Sequence, residues 1–269
     1  MTRVVFCADD LGMGPERDEG ILRAAATGIV REVSLCVTGG GETAALARVA
    51  RQSDAPGIGL HVSFTYGRAL SGPIEGLTDP SGRFHGLPRA LVSTALGRPR
   101  LDAVTREVRA QLARLRALGV EPTHLNGHHH AHVFPIIRDA VLELARELPA
   151  LHLRVPASPE WSARGATLNA LGRAFVGRAR ARGVALRSLP CLGLDAAGGD
   201  ALDAFTRTLE RLDGAAEWVL HPLAGPGEAD GGGGLGARAR QDELRVLESA
   251  AFRALLARHG VEPSRFGDA

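Results

Sequence analysis

The sequence has few cysteines, few aromatic residues and no excess of either charge. Its three cysteines, Cys7, Cys36 and Cys191, are an odd number without C-x-x-C spacing, which argues against a disulfide framework or a zinc ribbon. Lysine and arginine number 32 and aspartate and glutamate 30, so the charge balance does not favour binding to nucleic acid or to an anionic membrane. Only 4% of the 269 residues are aromatic, and we therefore expect a core of aliphatic side chains.

Signals for membrane insertion and secretion are also missing. No apolar stretch approaches the length of a membrane span, and the N-terminus runs straight into a strand-like segment without the charged and apolar regions of a signal peptide. We therefore expect a cytoplasmic protein with no membrane span and no nucleic-acid partner. A homo-oligomer is compatible with this composition.

Strand-like and helix-like segments alternate along the chain in about seven β-α units. Short crossovers of this kind are right-handed and produce a mostly parallel sheet. About seven such units in this length predict an α/β fold of the irregular TIM-like (β/α) barrel type rather than an open doubly wound sheet. We expect a single domain, residues 1–269, with an irregular insertion at about residues 67–100 in which residues 79–82 could close a small hairpin.

The individual elements follow from apolar periodicity and from turn residues. Strands are predicted at residues 4–8, 31–37, 57–64, 123–125, 151–155, 184–189 and 217–220. Helices are predicted near residues 19–27 and at residues 42–51, 102–118, 135–148, 168–182, 201–212 and 241–259.

Acidic and imidazole side chains stand at or just past the ends of four predicted strands. Asp9 and Asp10 follow the first strand, His61 lies in the third, five histidines fall within residues 124–132, and His221 follows the last strand. In a parallel α/β fold the carboxyl ends of all strands open onto one face. A carboxylate and several imidazoles in one cleft are the ligands of a divalent metal ion, so the sequence predicts a metal centre on this face.

Most of these signals also have an ordinary structural interpretation. Paired carboxylates at a strand end can cap a helix, and a lone histidine beside apolar residues, such as His61, is more often a core group. His221 alone is weak evidence. The histidine cluster is hard to explain as core or as ordinary surface, although it does not match the H-E-x-x-H pattern of helix-borne zinc sites. Adjacent Asp9 and Asp10 could divide the work, with one binding a cation and the other acting as a base.

Several enzyme classes are excluded by missing motifs. The sequence contains no G-x-x-x-x-G-K-[ST] loop, no G-x-G-x-x-G after a strand and no G-x-S-x-G elbow. A glycosidase needs two carboxyl groups about 5–9 Å apart on either side of the scissile bond, and adjacent Asp9 and Asp10 do not supply them.

The motifs together resemble the YdjC family, also called the ChbG/HpnK family of carbohydrate deacetylases. The resemblance spans most of the chain, with a further likeness at residues 77–84. The motifs that carry it are A-D-D-L-G-M at residues 8–13, D-E-G-I at 18–21, G-L-H-V at 59–62, T-H-L-N-G-H-H-H-A-H at 123–132 and H-P at 221–222. Three positions differ from the usual family pattern, with Leu11 in place of Phe, Asp18 in place of Asn, and Asn126 where Asp is frequent.

The resemblance implies an irregular TIM-like barrel and a deacetylase that removes acetyl groups from N-acetylated sugars. It implies that Asp10, His61 and His128 hold one divalent metal ion and that Asp9 is the catalytic base. The ion could be Zn²⁺ or Mg²⁺, and two imidazoles with one carboxylate suit Zn²⁺ better. Hydrolysis of an amide also needs an acid to protonate the leaving amine, and His221 is the candidate.

The sequence therefore predicts a metal-dependent deacetylase that hydrolyses the N-acetyl amide of an amino sugar. Chitooligosaccharides, a glycosylated lipid such as a hopanoid and an antibiotic-pathway aminosugar are all compatible substrates. The alternatives are a non-catalytic metal- or carbohydrate-binding protein and a metallophosphoesterase. The glycine-rich residues 225–236 after His221 are interpreted either as a mobile loop over the site or as an ordinary surface loop.

Overall fold

The protein folds as a curled parallel sheet with helices packed around it. The computed structural model describes residues 2–157, 163–193, 201–226 and 236–269. In this part of the chain the strands are β1 (Thr2–Leu11), β2 (Val30–Leu35), β3 (Gly57–Val62), β4 (His124–Gly127), β5 (His152–Leu153), β6 (Cys191–Leu192), β7 (Ala216–Leu220) and β8 (Val261–Pro263). The helices are α1 (Pro15–Ala26), α2 (Glu42–Val49), α3 (Leu87–Ala95), α4 (Leu101–Ala117), α5 (Ile137–Glu147), α6 (Ala163–Ala181), α7 (Ala201–Leu209), α8 (Ala237–Glu248) and α9 (Ala250–Arg258).

The order of the strands is β5-β4-β3-β2-β1-β7-β6, and β8 pairs with the start of β1. Every one of these pairs is parallel. The two ends of the sheet approach each other, because His152 of β5 forms a parallel bridge with Arg187 shortly before β6. This arrangement confirms the predicted α/β, TIM-like fold with a parallel sheet of about seven strands.

The central strand β1 and helix α4 show why the apolar patterns in the sequence identified the fold. Residues Val4 to Ala8 of β1 are all fully buried, as expected for a parallel strand that is covered on both faces. The amphipathic pattern of α4 places Val104, Val108 and Leu112 against the core. None of the helices in the described part of the chain is long and apolar enough to cross a membrane.

Some element boundaries differ from the predictions. No strand forms at residues 184–189, and the short strand β6 lies at Cys191–Leu192 instead. The predicted helix 241–259 is two helices, because Ser249 adopts an extended backbone and its hydroxyl caps α9 by accepting a hydrogen bond from the Phe252 amide. Strand β8 was not predicted, since three residues are too few for a periodic pattern.

The segment between β3 and α4 contains the predicted hairpin. Antiparallel bridges join Arg68 to Arg83 and Thr78 to Phe84, and Asp79 accepts hydrogen bonds through its side chain from the Ser81 and Arg83 amides. Helix α3 then follows. The glycine-rich segment that was considered as a mobile loop includes residues 227–235, which lie outside the described residues.

Candidate metal centre and surrounding cavity

A carboxylate and two imidazoles converge at the carboxyl ends of β1, β3 and β4. Asp10 Oδ1 lies 2.9 Å from His128 Nδ1 and 3.2 Å from His61 Nε2. One ligand atom from each residue lies within 4.8 Å of the others, and all three residues are buried. The structure therefore brings Asp10, His61 and His128 together as a candidate metal-binding triad.

The backbone is unusual where it presents these side chains. Asp10 has a φ of 74°, and the pairing of β1 with β2 shifts register between Ala8 and Leu11. A short 3₁₀ segment, His128–Val133, follows β4, and within it His129 and His130 have φ values of 53° and 56°. Left-handed conformations at residues other than glycine are costly, and such residues and strand bulges cluster at functional sites.

The residues of the triad fit a divalent cation. Asp10 Oδ2 and His61 Nε2 are buried and have no hydrogen-bond partner within the described ranges. The other nitrogen of His61, Nδ1, lies 2.7 Å from Asn126 Oδ1. The Asn126 amide nitrogen is already directed at Asp9 and Ser34, so its oxygen must accept from His61 Nδ1–H. This tautomer leaves a lone pair on His61 Nε2 for a metal.

Asp9 is the second carboxylate at the end of β1, and its environment differs from that of Asp10. Its Oδ1 accepts hydrogen bonds from Ser34 Oγ at 2.9 Å and from Asn126 Nδ2 and Arg154 Nη2 at 3.0 Å. Arg154 also binds Asp9 Oδ2, which makes the contact bidentate. Burial alone would raise the pKa of Asp9, but the Arg154 guanidinium and the neighbouring imidazoles hold it well below its usual range. Asp9 is therefore an ionised, firmly oriented carboxylate.

Arg154 was missed by the sequence analysis although it carries much of this electrostatic environment. It follows β5, is fully buried, and donates from Nε to Glu217 Oε1 at 2.7 Å as well as to Asp9. Its signal in the sequence was a single charged residue inside the apolar run at 151–155. His132 supports this position, because its Nε2 lies 3.0 Å from the Arg154 carbonyl oxygen.

His221 reaches the same site from the end of β7. Its Nε2 lies 4.0 Å from Asp9 Oδ2, and its backbone amide donates to Glu243 Oε2 at 2.6 Å. Burial lowers the pKa of His221 to about 4 and raises the pKa of Glu243 to about 8. Arg240, on the same helix α8 as Glu243, places Nη1 3.7 Å from Asp10 Oδ2. The sequence analysis missed both α8 residues, because nothing in a charged helix marks the side chains that turn inward.

One cavity of about 380 Å³ is lined by the triad together with Asp9, His221 and Arg240. All five predicted site residues, Asp9, Asp10, His61, His128 and His221, border it. The cavity lining also includes apolar side chains, namely Leu87 and Leu91 of α3, Phe134, and Leu168 and Leu171 of α6. The strand-end prediction therefore identified residues that meet in space although more than 200 positions separate the first from the last.

The other histidines of the cluster have different surroundings. His130 also borders the cavity, and burial together with the nearby Arg154 charge lowers its pKa well below the usual value, so its imidazole is neutral. His129 Nδ1 lies 3.0 Å from Thr65 Oγ1. His124 lies below the site, 2.9 Å from Ser34 Oγ. Of the five histidines in residues 124–132, only His128 belongs to the triad.

A TIM-like parallel barrel with an Asp-His-His triad in a strand-end cavity defines this chain as an α/β protein with a candidate metal centre. The chain belongs to the YdjC-like protein family, whose model matches residues 3–258. The resemblance noted from the motifs is thereby confirmed.

Two similar mammalian proteins extend over nearly the whole chain. Both are named carbohydrate deacetylase. The mouse protein is 34% identical over 289 residues, covering 97% of this chain and 92% of its own length. The human protein is 34% identical, covering 97% of this chain and 88% of its own length.

A solved structure supports the fold independently. An Enterococcus faecalis V583 protein, whose crystal structure was described with cellobiose-phosphate cleavage as the candidate activity, superposes with a TM-score of 0.77. The match covers 99% of this chain and 98% of the other at 20% identity. At this identity the likeness establishes the fold alone.

Proposed function

We propose that this protein is a metal-dependent deacetylase that hydrolyses the N-acetyl amide of an amino sugar to the free amine and acetate. One observation carries the proposal. A buried Asp-His-His triad shares its cavity with a separate ionised carboxylate, Asp9, and a separate imidazole, His221. The naming of two full-length relatives as carbohydrate deacetylases supports an acetylated sugar as the substrate class.

In this proposal Asp10, His61 and His128 hold one divalent ion, Zn²⁺ or Mg²⁺, with Zn²⁺ favoured by the two imidazole ligands. The bound ion would polarise the acetyl carbonyl and lower the pKa of a water molecule. Asn126 contributes by fixing the tautomer of His61. Arg240 lies close to Asp10 Oδ2 and adds positive charge to this part of the cavity lining.

Asp9 is proposed as the base that accepts the proton of the attacking water. Its low pKa keeps it ionised at neutral pH, and its hydrogen bonds fix one orientation of the carboxylate. These bonds saturate Oδ1, whereas Oδ2 contacts Arg154 and lies near His221 Nε2. Oδ2 is therefore the oxygen suited to receive a proton.

His221 is proposed as the acid that protonates the departing amine. An amine leaves an amide only with difficulty unless it is protonated, so this step needs a donor near the base. His221 Nε2 and Asp9 Oδ2 are 4.0 Å apart, so a small movement of either side chain lets the proton that Asp9 accepts pass to His221. His221 then donates this proton to the departing amine. The Glu243 side chain accepts a hydrogen bond from the His221 amide and so holds the His221 backbone in place.

The two alternatives receive less support from the geometry. A non-catalytic binding protein would need neither Asp9 nor His221 beside the metal ligands. A two-metal phosphoesterase needs bridging carboxylates, and the described residues offer one triad with a single carboxylate. We also propose that residues 1–269 act as one domain, in which the insertion at about 67–100 supplies the α3 side of the cavity through Leu87 and Leu91.

Acetate release tests the proposed function. The purified protein is incubated with N-acetylglucosamine, chitooligosaccharides and a glycolipid bearing N-acetylglucosamine, before and after chelation and after return of Zn²⁺ or Mg²⁺. We expect acetate from at least one of these substrates, loss of release on chelation and recovery with one of the ions. Metal-dependent hydrolysis of a nitrophenyl phosphate without acetate release from any sugar would favour the phosphoesterase and contradict the proposal.

A further inference from the structure

A chain of buried polar side chains, none of which borders the cavity, leads away from Asp9. Ser34 Oγ lies 2.9 Å from Asp9 Oδ1 and 2.9 Å from His124 Nε2. On its other side, His124 Nδ1 lies 2.9 Å from Thr123 Oγ1 and 3.5 Å from Glu32 Oε2. Ser34, His124 and Glu32 are almost completely buried. Because the cost of burying such groups is high, each needs a defined partner.

Counting donors and acceptors fixes the direction of the bonds around Ser34. A serine hydroxyl donates one hydrogen bond and can accept two. Asp9 is ionised and can only accept, so Ser34 donates its proton to Asp9 Oδ1. Asn126 Nδ2, at 2.8 Å, can only donate to Ser34. The remaining short contact, with His124, is favourable only if His124 Nε2 carries a proton and donates to Ser34 Oγ.

Cys7 does not change this assignment. Its thiol lies 3.3 Å from Ser34 Oγ and 3.4 Å from His124 Nε2, and burial together with the Asp9 charge raises the pKa of Cys7 well above its usual value. A neutral thiol is a weak hydrogen-bonding group beside these shorter contacts. His124 is therefore, together with Asn126, one of the two donors that orient the Ser34 hydroxyl towards Asp9.

The strand next to His124 is shaped to leave space for this chain. A Cβ atom at Gly59 would lie 2.3 Å from His124 Nε2, and a Cβ atom at Gly57 would lie 2.4 Å from Glu32 Oε2. Both distances are far shorter than a van der Waals contact. Gly57, Gly59 and His61 alternate along β3, so the face that carries the metal ligand His61 also makes room for Glu32 and His124.

We propose that His124, acting through Ser34, is a positioning residue that holds the carboxylate of Asp9 in the orientation needed for deacetylation. Without the His124 donor, the Ser34 hydroxyl loses the bond that keeps its proton directed at Asp9 Oδ1. Thr123 and Glu32 lie beside the Nδ1 atom of His124, where the Thr123 hydroxyl also donates to Glu32. Phe266 packs against the His124 ring with ring centroids 4.6 Å apart. The catalytic consequence rests on the proposed function, whereas the hydrogen-bond arrangement does not.

A double-mutant cycle tests whether His124 acts through Ser34. His124→Leu removes the donor, Ser34→Ala removes its acceptor, and the combined variant removes both. We expect each single variant to lower kcat about 10- to 100-fold, which is the usual effect of substituting a group that orients an active-site residue. KM should stay within about twofold of the wild-type value, and the metal content should be unchanged. The combined variant should be no slower than Ser34→Ala alone, because contacting residues that act on one group are not additive.

Conservative variants separate positioning from general damage to the core. His124→Gln retains an amide N–H that can reach Ser34, so it should recover most of the kcat lost in His124→Leu. Ser264→Ala is a matched control, since Ser264 is also a buried serine but its hydroxyl donates to the Glu262 carbonyl. It should leave kcat unchanged. The proposal would be overturned if the kcat losses of His124→Leu and Ser34→Ala multiply in the combined variant. It would also be overturned if His124→Gln loses as much kcat as His124→Leu.

A second readout does not depend on activity. Nitrogen–proton correlation spectra of protein labelled with ¹⁵N-histidine show which ring nitrogens carry protons, and His124→Gln assigns the signal. We expect a slowly exchanging Nε2–H for His124 that shifts in Ser34→Ala and not in Ser264→Ala. An unprotonated Nε2 would refute the positioning role. If the spectra agree but no N-acetyl sugar is hydrolysed by the wild type, the proposed function fails and the hydrogen-bond assignment stands.

Discussion

Arg154 allows a quantitative test of how the site is built. Its guanidinium is 1% exposed and bridges Asp9 and Glu217, which are 2% and 0% exposed. The substitution Arg154→Met keeps much of the side-chain volume but leaves two carboxylates inside the barrel without their shared cation. Breaking a buried ion pair by removing one partner costs about 3–5 kcal/mol. We expect the free energy of unfolding to fall by about this amount, and by less if one of the two carboxylates takes up a proton.

The loss should be large enough to measure in two ways. In a domain of this size a change of 1 kcal/mol shifts Tm by about 2–4 °C, so Arg154→Met should lower Tm by roughly 6–20 °C. Urea unfolding followed by circular dichroism gives the free-energy difference directly. Arg116→Met is the control, because Arg116 pairs with Glu121 on the surface, where the side chains are 44% and 66% exposed. An exposed pair contributes about 0–1 kcal/mol.

A rescue experiment separates charge from packing. Glu217→Met in the Arg154→Met background removes one of the two uncompensated carboxylates, and we expect it to recover part of the lost stability. If Arg154→Met unfolds within about 1 kcal/mol of the wild type, or if Glu217→Met adds a further loss, then uncompensated buried charge is not what destabilises the variant and this explanation is wrong.

Three further substitutions test the proposed roles in the cavity. Asp9→Asn should retain the metal and lose about 100-fold or more in kcat, as for a missing general base, and an empty metal site in this variant would contradict the separation of Asp9 from the triad. His221→Ala should lower kcat for an N-acetyl sugar much more than for an acetylated nitrophenol, whose leaving group needs no proton, and equal losses would point to a structural role. Asn126→Leu removes the hydrogen bond that fixes the tautomer of His61, and it should weaken metal binding about 10- to 100-fold in a chelator competition. An unchanged metal affinity would show that the Asn126 contact does not matter.

The fold and the convergence of the candidate triad could be predicted because they depend on features that repeat along the chain. Alternating apolar runs and helical patterns predicted a parallel α/β barrel, and that topology places all strand ends on one face. Asp10, His61 and His128 each stand at or just past such an end, so their convergence followed from chain order alone. The motifs shared with the YdjC family added the prediction that these three residues hold a metal ion.

The residues that the sequence analysis missed act through contacts between distant segments. Ser34 lies inside a strand of mixed polar and apolar residues, and Arg154 lies beside a strand of two residues, so neither forms a pattern with its neighbours. Arg240 and Glu243 lie on α8, where charged residues at many positions hide the two that turn inward. Their roles depend on packing around the barrel, which hydrophobic periodicity does not encode.

The boundary errors have a related cause. Strands β5 and β6 are two residues long and are fixed by pairing with β4 and β7 rather than by their own composition. The break between α8 and α9 depends on the Ser249 hydroxyl, which ends one helix and caps the next. Only Ser249 itself marked this break in the sequence, inside an otherwise continuous helical pattern.

Metal content of the triad variants tests the central claim most directly. Elemental analysis of the wild type, His61→Ala and His128→Ala is combined with acetate release from the best N-acetyl sugar, and His259→Ala at the end of α9 serves as the control histidine. The account predicts one ion per chain in the wild type and in the control, and loss of both the ion and acetate release in the two triad variants. Full metal occupancy in both His61→Ala and His128→Ala would contradict it.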